Sequence, residues 1–192
     1  MKLDPDLVQG ILTGQQRGSK EKPPLSDLLH RVPSGLERKA ASQTVAEYLT
    51  CLPLFQDLTS KEVGALASLM HERSFGDGEF VFEQGSPSGA LYLIREGCVE
   101  LFRTVNGRER MVVSLGPKEH FGEAALLLEE NPRHLSARSK GPSEVLAFSR
   151  PDFDNLTAQS PLLSVKVLRA LGRLFALRFS MLMEALEGGS SE

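Results

Sequence analysis

The chain has only two cysteines in 192 residues, Cys51 and Cys98. They are too few and too scattered for a disulfide framework or a thiolate zinc site, which points to a reducing compartment. Long apolar runs are missing as well. No stretch approaches the roughly 18 uninterrupted apolar residues of a membrane span. The N-terminal "MKLDPDLVQGILTG" puts acids and a proline where a secretory signal needs an apolar core. A soluble, cytoplasmic protein is expected, with no membrane contact. Cationic excess is absent: 22 Lys and Arg stand against 25 Asp and Glu, a formal net charge of -3, so the electrostatic footprint of a nucleic-acid binder is lacking. His30, His71, His120 and His134 show no paired metal-ligand spacing. There is no G-x-S-x-G elbow, no Walker loop and no acid/base pair, so neither a metal nor catalysis is expected.

What is present suits one globular domain with a tail, at 41% hydrophobic and 24% charged residues. Residues 1–42 read as a flexible N-terminal segment, because "GQQRGSKEKPP" is polar and rich in Gly, Lys and Pro. Leu25, Leu28 and Leu29 fall at helical spacing within it. "RKAAS" (residues 38–42) has the outline of a basophilic kinase site. From Ser42 the pattern tightens. Val45, Tyr48, Leu49 and Leu52 share one face of a short helix. A second helix is expected over "LTSKEVGALASLMHER", with Thr59 or Ser60 as N-cap, Glu62 in the first turn, and Val63, Leu66, Ala67 and Met70 as its apolar stripe.

The periodicity then changes from helical to alternating. "EFVFEQG", "ALYLIREGCVELFRTV", "RERMVVSLG", "HLSARS" and "EVLAFS" are short β-favouring runs broken by Gly, Pro and Asn. Asn106-Gly107 marks a hairpin, since both central residues of such a turn favour positive φ. Strands at this spacing predict a closed or doubled antiparallel sheet, a barrel or jelly roll. Pro151 opens a helix that Pro161 ends, and a last helix is expected over 162–186. Val165, Leu168, Leu171, Phe175, Phe179 and Leu182 lie on one side of it, with Leu174, Leu177 and Met181 extending the apolar surface. A helix this apolar must pack on the barrel and on something more, such as a second copy of itself. Lys166, Arg169 and Arg173 read as its solvated face. The chain is expected to be mainly β with flanking α: an antiparallel jelly-roll barrel, helices before it and a long helix after it.

The chemistry concentrates in "FGEAALLLEENPRHLSARS", residues 121–139. Gly122 allows a sharp turn into a helix-competent segment whose first N–H groups lack partners. The Glu123 carboxylate is an acceptor for a sugar hydroxyl. Arg133, fixed by Pro132, offers a planar fork of donors to a phosphate. Ala124 and Ala125 are small enough for close backbone approach. Alternatively, Glu123 and Arg133 could pair with each other across an empty barrel. As a binding site, the set describes a pocket for a phosphorylated sugar.

This segment resembles the phosphate-binding cassette of cyclic nucleotide-binding domains, in which F-G-E, a small residue, A-L and a short loop lead to an arginine. The resemblance runs from about Leu54 to Glu187. It includes "PLFQDLTSKEVGALASLM", the "GE", "QG", "LYLI" and "GCVEL" landmarks, and the "EVLAFSRPDF" exit. It implies a domain over residues 43–187, of the catabolite activator and protein kinase A regulatory type, with 188–192 as a disordered tail. Phe121, Gly122, Glu123, Ala124, Arg133, His134 and Ser136 would contact the ligand. Glu123 would hold the ribose 2′-hydroxyl and Arg133 the cyclic phosphate. The N–H groups of Ala124 and His134 would complete the cradle, and Ser136 could favour guanine. Arg178 and Phe179 are candidates for a lid over the base.

The implied function is a cAMP or cGMP sensor, with no metal, whose ligand reorients the C-terminal helix toward a separate effector protein. A homodimer through that helix is a further expectation. The chain ends at "EGGSSE" without a helix-turn-helix, so DNA binding is not expected. The alternative is a degenerate module that keeps the barrel for protein contacts without nucleotide. His134-Leu135 supports it, because the family has two small residues there.

Overall fold

A computed structural model describes residues 43–128 and 132–187. The Leu25–Leu29 helix, the 38–42 motif, His30 and the 188–192 tail lie outside them, as do the side chains of Met181 and Leu182. The first helix, α1 (Val45–Thr50), is closed by a Thr44/Glu47 capping box and is followed by a 3₁₀ turn at Pro53–Phe55. Helix α2 (Ser60–Ala67) uses Thr59 as its N-cap, with Glu62 completing a second capping box. Each box satisfies two N–H groups that a helix start would otherwise leave unpaired.

Eight strands follow: β1 (His71–Phe75), β2 (Phe80–Phe82), β3 (Ala90–Glu96), β4 (Val99–Val105), β5 (Arg108–Leu115), β6 (His120–Phe121), β7 (Ser136–Ser139) and β8 (Ser143–Ser149). They form two antiparallel sheets, ordered β1-β8-β3-β6 and β2-β7-β4-β5. The expected jelly-roll architecture is therefore present. Two strands escape the sequence reading. His71–Arg73 belong to β1 rather than to the end of α2. The short β6 holds the cassette's Phe121 against Tyr92 of β3. The hairpin at Asn106 and Gly107 is as expected, with φ of 52° and 73°.

Alternation along β3 and β8 divides the core in two. Leu91, Leu93, Leu146 and Phe148 point to a helical layer built from α1, the 3₁₀ turn, α2 and the last two helices. Ile94 and Val145 point the other way, into the barrel, where Phe121, Val99, Leu115 and Ala137 join them. Between β6 and β7 lies a single turn of helix, α3 (Ala124–Leu127). Helix α4 (Arg150–Gln159) is capped by Ser149, and α5 (Pro161–Glu187) starts at the proline that ends it.

The apolar stripe assigned to α5 divides when seen in three dimensions. Leu163, Val167, Ala170 and Leu171 are buried against the helical layer. Val165, Leu168, Phe175 and Phe179 are exposed, so Leu171 belongs to the core rather than with them. The basic series is only partly a solvated face. Lys166 Nζ sits 2.7 Å from Glu62, and Arg173 sits 2.6 Å from Asp57, fastening α5 to the N-terminal helical region.

Candidate functional site

Gly122 shapes the start of the cassette. Its φ is +79°, and a Cβ there would lie 2.8 Å from both the Ala90 carbonyl oxygen and Arg133 Nη1. Only glycine fits this left-handed, crowded position. The chain then turns into α3. The N–H groups of Ala125 and Leu126 close onto the carbonyls of Gly122 and Glu123. The Ala124 N–H has no acceptor among the described residues, as the first turn of a helix requires.

Arg133 returns beside this turn and is 7% exposed. Its Nη2 donates to the Ala90 carbonyl at 2.9 Å, and its Nη1 to the Gly122 carbonyl at 3.4 Å. Its backbone is pinned to the β2–β3 loop: the Arg133 N–H donates to Ser86 O, and the Gly85 N–H to Arg133 O. The guanidinium lies 4.0 Å from the ring centroid of Phe82 and 5.7 Å from that of Tyr92. Those two rings and Phe121 form one cluster, with Tyr92 and Phe121 stacked at 5.1 Å. Burial lowers the Arg133 pKa, opposed by Tyr92 and Glu123. An arginine nonetheless stays charged. No carboxylate of a described residue lies within ion-pair distance of it. Its Nε is the one buried side-chain polar atom among the described residues without a hydrogen-bond partner. A charged donor left unsatisfied in the interior costs free energy that an anionic ligand would recover.

Glu123 is 8% exposed and pairs with Arg178 of α5, not with Arg133. Arg178 Nη1 donates to Glu123 Oε1, and its Nη2 lies 3.4 Å from His120 Nε2. Desolvation pushes the His120 pKa down to about 4, with Glu123 pulling it up and Arg178 adding to the depression. His120 is therefore neutral at physiological pH and can accept from the guanidinium. Of the two lid candidates, only Arg178 reaches the site. Phe179 faces solvent at 62% exposure.

The His134 side chain is exposed and Leu135 is half-buried, and the His134 N–H has no acceptor among the described residues. The Ser136 hydroxyl accepts the Gln84 N–H at 2.9 Å. Alternation sets Ser136 opposite Ala137, a barrel-core residue, and its hydroxyl ties β7 to the loop that follows β2. Phe82, Tyr92, Ala90 and His120 were not read from the sequence as parts of the site. Their signal was the period-two alternation of "FVF" and "LYL" running into Phe121, which aligns the three rings on one inner face. Among the described residues no cluster of three His, Cys, Asp or Glu could hold a metal ion. No helix there is long and apolar enough to cross a membrane.

This geometry has counterparts. A family model, "Cyclic nucleotide-binding domain", matches residues 72–160. The cyclic AMP receptor protein of Thermus thermophilus is 39% identical over 122 residues, 63% of this chain and 56% of that protein. The cAMP-dependent protein kinase regulatory subunit of Emericella nidulans is 33% identical over 109 residues, 57% of this chain and 26% of its own length. The crystal structure of the Thermus thermophilus catabolite activator protein superposes with a TM-score of 0.62 at 37% identity, covering 72% of this chain and 63% of that one. The chain thus spans little more than half of the Thermus receptor. By the family model that matches them, and in keeping with these relatives, residues 72–160 of the chain belong to the cyclic nucleotide-binding domain family.

Proposed function

We propose that residues 43–187 form a cytoplasmic regulatory module that binds cAMP or cGMP without a metal and reports occupancy through α5. The observation that carries this reading is the buried Arg133 cation with its Nε–H unsatisfied. It lies against Gly122 and within the electrostatic reach of Glu123. A cyclic phosphodiester bears one negative charge. Arg133 supplies one unpaired positive charge, while Glu123 and Arg178 neutralise each other. The charges of ligand and site therefore match without leaving an excess in a poorly solvated pocket.

In this reading Arg133 Nε and the N–H groups of Ala124 and His134 hold the phosphate, on the ledge made by Phe121 and Gly122. Glu123 accepts the ribose 2′-hydroxyl. Because His134 projects into solvent, its bulk does not narrow the cradle. That weakens the alternative of a degenerate, nucleotide-free module. A ligand shifts the position of α5 only if it binds one arrangement of that helix more tightly than the other. The exposed Val165, Leu168, Phe175 and Phe179 recur along α5 at intervals of three, seven and four residues, which keeps them on one side of the helix. We assign them to a homodimer seam, and the surface presented to an effector protein is read from its position.

Calorimetric titration of cAMP and of cGMP into the protein tests the reading, with Arg133→Ala alongside. Saturable binding to the wild type that the variant abolishes supports it. Absence of binding together with an unmoved melting temperature refutes it.

A further inference from the structure

Helix α5 is held to the domain in two different ways along its length. Up to Leu171 it is anchored by burial, through Leu163, Val167, Ala170 and Leu171. Beyond Leu174 the described side chains are exposed, with one exception. Phe175, Leu177, Phe179 and Met183 all face solvent. The exception is Arg178, one turn beyond Leu174 on the core-facing side, with its guanidinium forked between Glu123 and His120. Both acceptors flank Phe121, the ring stacked on Tyr92 inside the barrel.

We propose that Arg178 is a positioning residue that tethers the distal part of α5 to the cassette before any ligand arrives. Glu123 and His120 act as its two-pronged receptor. The free carboxylate oxygen of Glu123 remains available to a hydroxyl, since a carboxylate accepts at both oxygens. Any group that engages Glu123 therefore acts directly on the polar attachment that the described residues give the helix beyond Leu174. This last step rests on the assignment of Glu123 as the ribose contact. The tether itself does not.

The fork geometry explains the choice of residue. A planar guanidinium can serve a carboxylate and an imidazole at once, with two donors held at fixed separation. A lysine can neutralise Glu123 but cannot span both acceptors in that plane. The pair also resolves a burial problem. Glu123 would otherwise be an almost fully buried, uncompensated carboxylate.

The test is amide hydrogen exchange across residues 174–183 in the ligand-free full chain, comparing wild type with Arg178→Gln, Arg178→Lys and His120→Phe. Exchange in the barrel strands serves as the folding control. Arg178→Gln is expected to accelerate distal exchange by about tenfold or more, because a charge-assisted bond is lost. His120→Phe should accelerate it less, and Arg178→Lys should restore part of the protection. Unchanged exchange in Arg178→Gln overturns the proposal, because packing alone would then hold the helix. Equal acceleration in Arg178→Lys and Arg178→Gln also overturns it, because the effect would not follow the charge. No nucleotide enters this experiment, so a failure of the sensor reading leaves its result intact.

Discussion

Arg133 stacks over Phe82 with its guanidinium carbon 4.0 Å from the ring centroid. The ring takes the place of a counter-ion, holding a buried cation from one side while two backbone carbonyls hold its ends. Such a contact contributes about 2 kcal/mol when desolvated. Phe82→Leu should therefore lower the melting temperature. It should also weaken cyclic nucleotide binding by about tenfold, as calorimetry would read. Arg133→Lys should be worse for binding than Phe82→Leu, because a compact ammonium lacks the rigid planar fork whose separate nitrogens reach the Ala90 and Gly122 carbonyls while Nε is left for the ligand.

Gly122→Ala puts a methyl group against the Ala90 carbonyl and Arg133 Nη1, both at 2.8 Å, in a backbone conformation with φ of +79°. The left-handed conformation alone costs about 1–2 kcal/mol. Arg133 must also shift to relieve the clash. Thermal unfolding should show a clear loss of stability, and nucleotide affinity should fall with it. A variant with wild-type stability and affinity would contradict the crowding described at this turn.

Acid should weaken the fold through His120. Its pKa is pushed down to about 4 in the folded chain against about 6.5 when unfolded. Between those values the unfolded state binds the extra proton. Stability is thus fully present above about pH 6.5 and declines as pH falls toward 4, by up to about 1.4 kcal/mol per pH unit. Denaturant melts from pH 7 to 4.5 should show the slope in the wild type and a shallower one in His120→Phe. Glu62, held at about 2 by Lys166 and the Thr59 N–H, contributes stability that is lost as pH falls from its ordinary value of about 4.5 toward 2, below the range of these melts.

The exposed seam of α5 makes a separable prediction. Phe175→Glu combined with Phe179→Glu sets like charges where two copies would meet, and both positions face solvent in the single chain. Sedimentation should show the wild type as a dimer and the double variant as a monomer. The melting temperature of the barrel should be nearly unchanged. A wild type that is monomeric at every concentration removes the seam.

Much of this architecture is legible because single residues act locally. Thr59, Pro151, Pro161 and Asn106-Gly107 set their helix and turn boundaries by backbone geometry that tolerates few alternatives. The cassette was legible for the same reason, since Gly122 and Pro132 constrain the chain on either side of Glu123. What was not legible is relational. Sequence spacing makes Glu123 and Arg133 natural partners, yet Glu123 pairs with an arginine 55 positions away on α5. Helical periodicity placed Leu171 with Val165, because a helix apolar on two sides gives no sign of which side meets the barrel. The β1 strand was hidden because its exposed, polar "HERSF" lacks the alternation that marks a half-buried strand.

The division of the core by β3 has a consequence for engineering. Leu91 and Leu93 serve the helical layer, while Tyr92 and Ile94 serve the barrel. Deleting or inserting one residue between Ala90 and Glu96 would exchange the two sets, sending the arginine's ring platform outward and two leucines into the pocket. Strand β3 therefore tolerates no change of length. The solvent-facing turn at Asn106 and Gly107 carries no such double duty, and it is the place to insert a reporter or an epitope without disturbing either half of the core.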